Sequence, residues 1–286
     1  MKYASLLFVC LFAGTVASDA GVVFEDHFDR YSDGTAVAGQ YLQPPKTPEV
    51  GSGTWTGTDA WQVNGGALSL AHDGGAIYGY FTSTLVAGQK LTLTFDTQAI
   101  TGFLGASTAV VSLYDSLGHE TYMGDTGGPT TYWTLGGAIG GVTTSDSNQA
   151  NKATFTYEFD TGKWTFSTNG GTYSGTGTAG YALDYLRIYS SGTWDPIPGN
   201  MKLSDISVSI EQIVAPELKI TAFTPINATS YQLAWSGGDG TNDVEESTDL
   251  VNWTPLVQNV ASPQTITVDT VNQPKRFFRV VEPASP

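Results

Sequence analysis

Apolar and polar residues alternate with a period of two along much of this chain. Leu91, Leu93 and Phe95 alternate with Thr92, Thr94 and Asp96, and Ile206, Val208 and Ile210 alternate with Ser207 and Ser209. Successive side chains of a strand point to opposite faces, so each run predicts a half-buried β-strand. Phe155, Tyr157 and Phe159 alternate with Thr156 and Glu158, and Trp164 and Phe166 resume the pattern beyond Asp160-Thr161-Gly162-Lys163. Two such runs around a turn predict a β-hairpin. Further strands are expected over 67–71, 76–83, 108–115, 119–123 and 182–190. Asp115-Ser116-Leu117-Gly118 suits a type I turn, with Asp first and Gly last. Beyond the first twenty residues, no stretch of twelve shows helical periodicity.

About ten strands between residues 21 and 212 exceed what one small sheet holds, and two packed antiparallel sheets bury such a set best. The expected fold class is therefore all-β: a two-sheet antiparallel jelly-roll sandwich over 21–213, with Phe95, Phe159 and Trp164 between the sheets. A break follows Ile213. Residues 214–217 form a short linker, and 218–286 carry their own strand pattern at 218–224, 230–236, 243–247, 264–270 and 276–282. That pattern predicts a second, small β-sandwich.

The first residues change the picture of where the protein works. Lys2 precedes an apolar run from Ala4 to about Val16, and small residues follow at Ala17, Ser18 and Ala20. This is the layout of a secretory signal peptide over 1–20, so the expected destination is secreted or cell surface. The run is too short to span a bilayer as a helix, and no later segment is long and apolar enough to do so. The single cysteine, Cys10, lies inside that leader, so the processed chain is expected to carry no thiol and no disulfide. The formal net charge is −15, with only 12 Lys and Arg, which argues against a nucleic-acid partner. An acidic exported chain stays soluble and attracts divalent cations.

Phe24-Glu25-Asp26-His27-Phe28-Asp29 with Tyr31 and Gly34, the hairpin Tyr157 to Trp164 followed by Asn169-Gly170, and the closing run Leu203 to Val208 together carry a resemblance. Residues 22–212 resemble the concanavalin A-like (laminin-G-like) jelly-roll domains of secreted bacterial proteins. Leu233-Ala234-Trp235-Ser236, the stretch Val244 to Leu256 and Arg276-Phe277-Phe278-Arg279-Val280 resemble a fibronectin type III-like accessory module. The resemblance implies a spacer or attachment role for that module. It also implies that first and last strands of the jelly roll pair, bringing Glu25 and Asp26 near Asp205. A structural calcium held by Glu25, Asp26 and Asp205 is the cofactor this suggests, since hard cations take several carboxylate oxygens.

Glucanases of this fold set carboxylates on one strand face, and neither Glu-x-Asp-x-x-Glu nor Glu-x-Asp-x-Glu occurs. His119 and Tyr122, three apart, fall on opposite faces of a regular strand. No Gly-x-Ser-x-Gly elbow, His-Glu-x-x-His or phosphate loop appears. Sugar binding calls for aromatic rings beside hydrogen-bonding groups. Tyr132 and Trp133 in the Gly/Thr-rich stretch 127–141, Trp194 before Asp195-Pro196, and Trp55 beside Gly57 are the candidate ligand-binding aromatics, while Trp61 is assigned to the core. The resulting expectation is a non-catalytic protein that binds polysaccharide or cell-surface glycan through the jelly roll. The alternatives are a polysaccharide-active hydrolase or lyase with an atypical site, and a structural adhesion or envelope component. Two carboxylates converging within about 5–10 Å across a groove mark the enzyme; exposed aromatics without such a pair mark binding.

Overall fold

The computed structural model describes residues 20–39, 43–71, 74–100, 109–125, 132–147, 151–190, 201–213, 218–227, 229–238, 241–269 and 276–281. The leader up to residue 19, the linker at 214–217, and Trp194 lie outside the described residues. The protein is all-β, and the chain separates into two compact units, 18–213 and 214–286.

The first unit begins with β1 (Gly21–Asp26), β2 (Thr56–Gly57), β3 (Trp61–Val63), β4 (Leu68–Leu70), β5 (Gly75–Tyr80), β6 (Gln89–Ile100) and β7 (Ala109–Asp115). It continues with β8 (Glu120–Asp125), β9 (Tyr132–Gly137), β10 (Val142–Ser147), β11 (Asn151–Glu158), β12 (Lys163–Ser167), β13 (Thr172–Thr176), β14 (Leu183–Ser190) and β15 (Met201–Gln212). One sheet runs β13-β12-β11-β6-β15-β4-β3, with β1 also paired to β15. The other runs β10-β9-β8-β7-β14-β5-β2. Neighbouring strands pair antiparallel in both.

The alternation seen in the sequence sets which side chains meet between the sheets. Leu91, Leu93 and Phe95 of β6, Phe155 and Tyr157 of β11, and Ile206 and Val208 of β15 are buried against Val111 and Leu113 of β7 and Leu186 and Ile188 of β14. Trp164 of β12 joins the same core, and Phe159 packs against it. Burying one such large side chain contributes about 1.5–3 kcal/mol. The hairpin β11–β12 pairs Phe155 with Phe166 and Tyr157 with Trp164. The turn after β7 closes with Gly118 N–H donating to Asp115 O at 3.0 Å.

The Gly/Thr-rich stretch around Trp133 corrects the sequence reading. Residues 132–137 form a strand, and Trp133 and Leu135 alternate inward from it. Trp133 is fully buried, its ring edge-on to Phe95 at 5.8 Å and to Phe166 at 5.2 Å. Gly136 and Gly137 form the end of the strand; they do not make it a loop.

Phe24 of β1 packs closely on β5 of the other sheet. A Cβ at Gly79 would lie 2.4 Å from the Phe24 ring, so only glycine leaves room. Gly79→Ala is expected to destabilise the first unit by about 1–3 kcal/mol, because a packed aromatic cannot give way cheaply. Urea unfolding checks this; an unchanged midpoint would mean that the ring slides aside.

The second unit comprises β16 (Lys219–Pro225), β17 (Ser230–Ser236), β18 (Thr241–Ser247), β19 (Thr254–Ala261), β20 (Gln264–Asp269) and β21 (Phe277–Val281). Two three-stranded sheets, β16-β17-β20 and β19-β18-β21, enclose Leu233, Trp235, Val244, Val268 and Phe278. Between β18 and β19, the Asp249 carboxylate accepts hydrogen bonds from Asn252 N–H at 2.8 Å, Asn252 Nδ2 at 2.7 Å and Val251 N–H at 2.8 Å. These donors hold that carboxyl well below the usual range. Trp253 lies half-buried with the Arg279 guanidinium 4.3 Å above its ring.

Candidate functional site

The inward alternation of the seven-stranded sheet has a counterpart on its outer face. Because Ile77, Leu186, Ile188, Val111 and Leu113 point inward, Tyr78, Tyr80, Tyr185, Arg187, Tyr189, Ser112 and Tyr114 point outward. The register aligns them in rows across the strands. Tyr80 of β5 faces Tyr185 of β14, which faces Tyr114 of β7, which faces Glu120 of β8. The next row runs Tyr78, Arg187, Ser112, Tyr122 and Gly136.

Strand spacing sets the ring contacts along the first row. Tyr114 stacks on Tyr185 with centroids 5.2 Å apart and planes 9° apart. Tyr80 lies 5.5 Å from Tyr185 on its other side, and Tyr78 lies 6.3 Å away. Only Tyr114 and Tyr185 lie parallel; Tyr80 and Tyr78 are tilted against Tyr185, by 38° and 57°. Tyr80, at the end of the row, is 40% exposed. Burial, reinforced by the hydrogen bond to Glu120, pushes the Tyr114 hydroxyl far up, and burial also raises Tyr185. Both phenols therefore stay protonated at any physiological pH.

A polar group sits in the middle of this aromatic face. The Arg187 guanidinium lies 5.1 Å from the Tyr114 ring centroid and 4.7 Å from that of Tyr189. Its Nη2 donates to Glu120 Oε1 at 3.1 Å, and the fully buried Ser112 hydroxyl donates to the same oxygen at 2.7 Å. Glu120 is thus an acceptor already engaged by three side chains, counting the Tyr114 hydroxyl. A Cβ at Gly136 would lie 2.2 Å from the Tyr122 hydroxyl, so the bare glycine lets that phenol lie across the neighbouring strand.

Two of the aromatics expected to bind ligand, Trp55 and Trp133, lie elsewhere. Trp55 and Trp133 are fully buried and offer no ring face to a ligand. Trp55 is a core residue because its indole N–H donates to the buried Asp26 at 2.8 Å while its ring packs on Phe24 at 5.2 Å. Tyr132 belongs to β9, and nothing of its side chain is among the described residues. The signal that would have found the face is tyrosine at i and i+2 or i+4 on the non-core side of a strand, as in Tyr78/Tyr80 and Tyr185/Tyr189 around Arg187. That side ordinarily carries Thr, Ser or charge.

A second cluster forms where β1 ends. β1 and β15 pair, with Glu25 facing Ser207 and Asp26 facing Ile206. The expected trio of Glu25, Asp26 and Asp205 does not assemble, because Glu25 and Asp26 alternate to opposite sides. Asp26 is fully buried and faces inward, accepting from Trp55 Nε1 and from Phe28 N–H at 3.1 Å, with the Tyr31 hydroxyl at 3.2 Å and Arg30 Nη2 at 3.5 Å. Burial pushes its carboxyl up, against the pull of these donors. On the outer side Glu25 joins His27 and Glu49, whose ligand atoms all lie within 4.8 Å of one another. His27 Nδ1 lies 2.8 Å from Asp205 Oδ1. That hydrogen bond, with Glu49 and Glu25 nearby, raises the imidazole against the opposing effect of burial.

His119 and Tyr122 are separated as the spacing predicts. His119 lies in the β7–β8 turn, its Nδ1 2.7 Å from Asp115 and its ring 4.5 Å from Tyr181, whereas Tyr122 belongs to the outer sheet face.

No family model matches this chain, and no curated protein matches it. Among solved structures, an endo-1,3-β-glucanase from Streptomyces sioyaensis is similar at 15% identity and a TM-score of 0.49, covering 69% of this chain and 99% of that one. A lectin from Bauhinia forficata in complex with GalNAc is similar at 12% identity and a TM-score of 0.40, covering 56% and 93%. Arcelin-5, a lectin-like defence protein from Phaseolus vulgaris, is similar at 8% identity and a TM-score of 0.40, covering 55% and 92%.

Proposed function

We propose that the first unit binds glycan without cleaving it, through the outer face of the seven-stranded sheet. The observation that carries this reading is the row Tyr80-Tyr185-Tyr114 beside the Arg187–Glu120 pair. Ring surface suits the C–H faces of pyranoses, while phenol, guanidinium, carboxylate and hydroxyl groups suit their hydroxyls. The stacked, mutually braced side chains lose little freedom on binding, which favours affinity. Glu120 supports binding over hydrolysis because Arg187, Ser112 and Tyr114 already surround it as donors, which suits a fixed acceptor better than an acid delivering a proton. The leader-like pattern of residues 1–20 supports a role outside the cell, with the second unit as a proposed spacer or attachment element.

The test is retention of the purified protein on a panel of insoluble and immobilised polysaccharides, with Tyr185→Ala as the paired sample. Retention lost in the variant supports the reading. Failure to bind every glycan, or release of reducing ends or unsaturated sugars from one of them, overturns it.

A further inference from the structure

The group at the end of β1 has the makings of a metal site different from the oxygen-only calcium site that the sequence suggested. Glu25 and His27 are two residues apart and reach the same side of the chain, while Asp26 between them turns into the core. Glu49 is delivered by backbone pairing: Glu25 N–H donates to Val50 O at 2.9 Å, and Val50 N–H donates to Glu25 O at 3.1 Å. His27 Nε2 then lies 3.7 Å from Glu25 Oε1 and 3.7 Å from Glu49 Oε2. Ligand atoms roughly 3.4–3.8 Å apart are what bonds of about 2.1–2.2 Å produce around a tetrahedral or trigonal centre. With both His27 separations in that range and all three ligand atoms within 4.8 Å of one another, the group leaves room for one ion and an open side for water.

Two further features set the orientation. Asp205 Oδ1 takes the other imidazole nitrogen at 2.8 Å, and this carboxylate–histidine contact is the one that fixes the tautomer of metal-bound histidines and turns Nε2 toward the ion. Glu49 Oε1 is occupied by the scaffold, 3.4 Å from His27 N–H and 3.7 Å from Arg30 Nε, which leaves Oε2 on the ion's side. Four carboxylates, of Glu25, Asp26, Glu49 and Asp205, gather around one guanidinium and one imidazole, an excess of negative charge that a divalent ion neutralises.

We infer that Glu25, His27 and Glu49 bind a divalent transition metal of borderline softness, zinc in the first instance, with Asp205 as the hydrogen-bonded support of His27. Imidazole nitrogen is a ligand for Zn²⁺ or Co²⁺ and not for Ca²⁺, which takes oxygen. The ligands come from β1, the segment before residue 50 and, through Asp205, β15. The ion therefore clamps the first strand, its following connection and the last strand of the unit, in a chain whose single cysteine cannot provide a crosslink. This inference stands independently of glycan binding.

The experiment uses untagged protein stripped with chelator, then titrated with ZnCl₂, CoCl₂ or CaCl₂ by calorimetry and thermal melting. Zinc is expected to bind one-to-one and raise the Tm, and cobalt to develop visible d–d absorption with a nitrogen–oxygen ligand set. His27→Ala and Glu49→Gln should each abolish the zinc-induced Tm shift. Asp205→Asn should weaken zinc binding by about 10–100-fold, the usual effect of losing such a support. Far-UV circular dichroism confirms that each variant is folded, and the isosteric, partly exposed Glu49→Gln keeps the test valid if His27→Ala is not. Absence of zinc binding, binding unchanged in both folded variants, or a Tm response to calcium alone overturns the inference.

Discussion

Asp26→Ala is expected to destabilise the first unit by about 3–5 kcal/mol, read from the urea midpoint at neutral pH, with no loss in the slope of the transition. The reason lies in the donors that Asp26 holds. The indole N–H of fully buried Trp55 and the N–H of fully buried Phe28 both end on its oxygens, and Arg30 sits beside it. A buried donor left without an acceptor costs about 1–3 kcal/mol, and alanine orphans at least two. Phe28 adds to the loss. Its φ of 59° lies in the left-handed region, unfavourable for a side chain of that size, and the Asp26–Phe28 hydrogen bond is one of the contacts that hold it there. Asp26→Asn should fall between wild type and alanine, because an amide keeps one acceptor but presents a second donor to the remaining N–H groups. A loss under about 1 kcal/mol for Asp26→Ala would mean that water or a shifted Arg30 replaces the carboxylate.

The second large effect concerns the outer sheet face. Tyr185→Ala is expected to weaken glycan binding at least about tenfold, while costing the fold only about 1–2 kcal/mol. Tyr185 is the middle ring, touching Tyr114, Tyr80 and Tyr78, so its loss unbraces all three. Arg187→Ala should weaken binding as much, because it removes one of the three donors on Glu120 and opens the space between Tyr114 and Tyr189. Tyr173→Ala, on β13 at the edge of the other sheet, should leave binding unchanged. Equal losses in all three variants would point to general unfolding and not to this face.

The sandwich was legible in the sequence because burial on one side imposes a period of two, and β6, β11, β12, β14 and β15 each carry that period in Leu, Ile, Val and aromatics. The strand β9 was hidden because glycine and threonine surround a short Trp133-x-Leu135 alternation, and composition suggested a loop. Trp55 misled for a different reason. It lies outside any strand, so nothing local reveals that its indole reaches Asp26, 29 residues earlier. The tyrosine face is assembled from β5, β7, β8 and β14, residues 75 to 190, and only the strand order and register bring those segments together. The separation of Glu25 from Asp26, by contrast, follows from alternation alone.

The strand order has a consequence for how the chain is made and moved. β15 lies between β6 on one side and β4 and β1 on the other, and β14 lies between β7 and β5. Both sheets thus wait for their final two strands, and every shorter nascent chain keeps two unzipped gaps flanked by sticky backbone. Such late closure suits the exported route proposed for this chain: the unit is expected to close only once about residue 212 has emerged, and a truncation ahead of β14 should yield aggregates instead of a smaller domain.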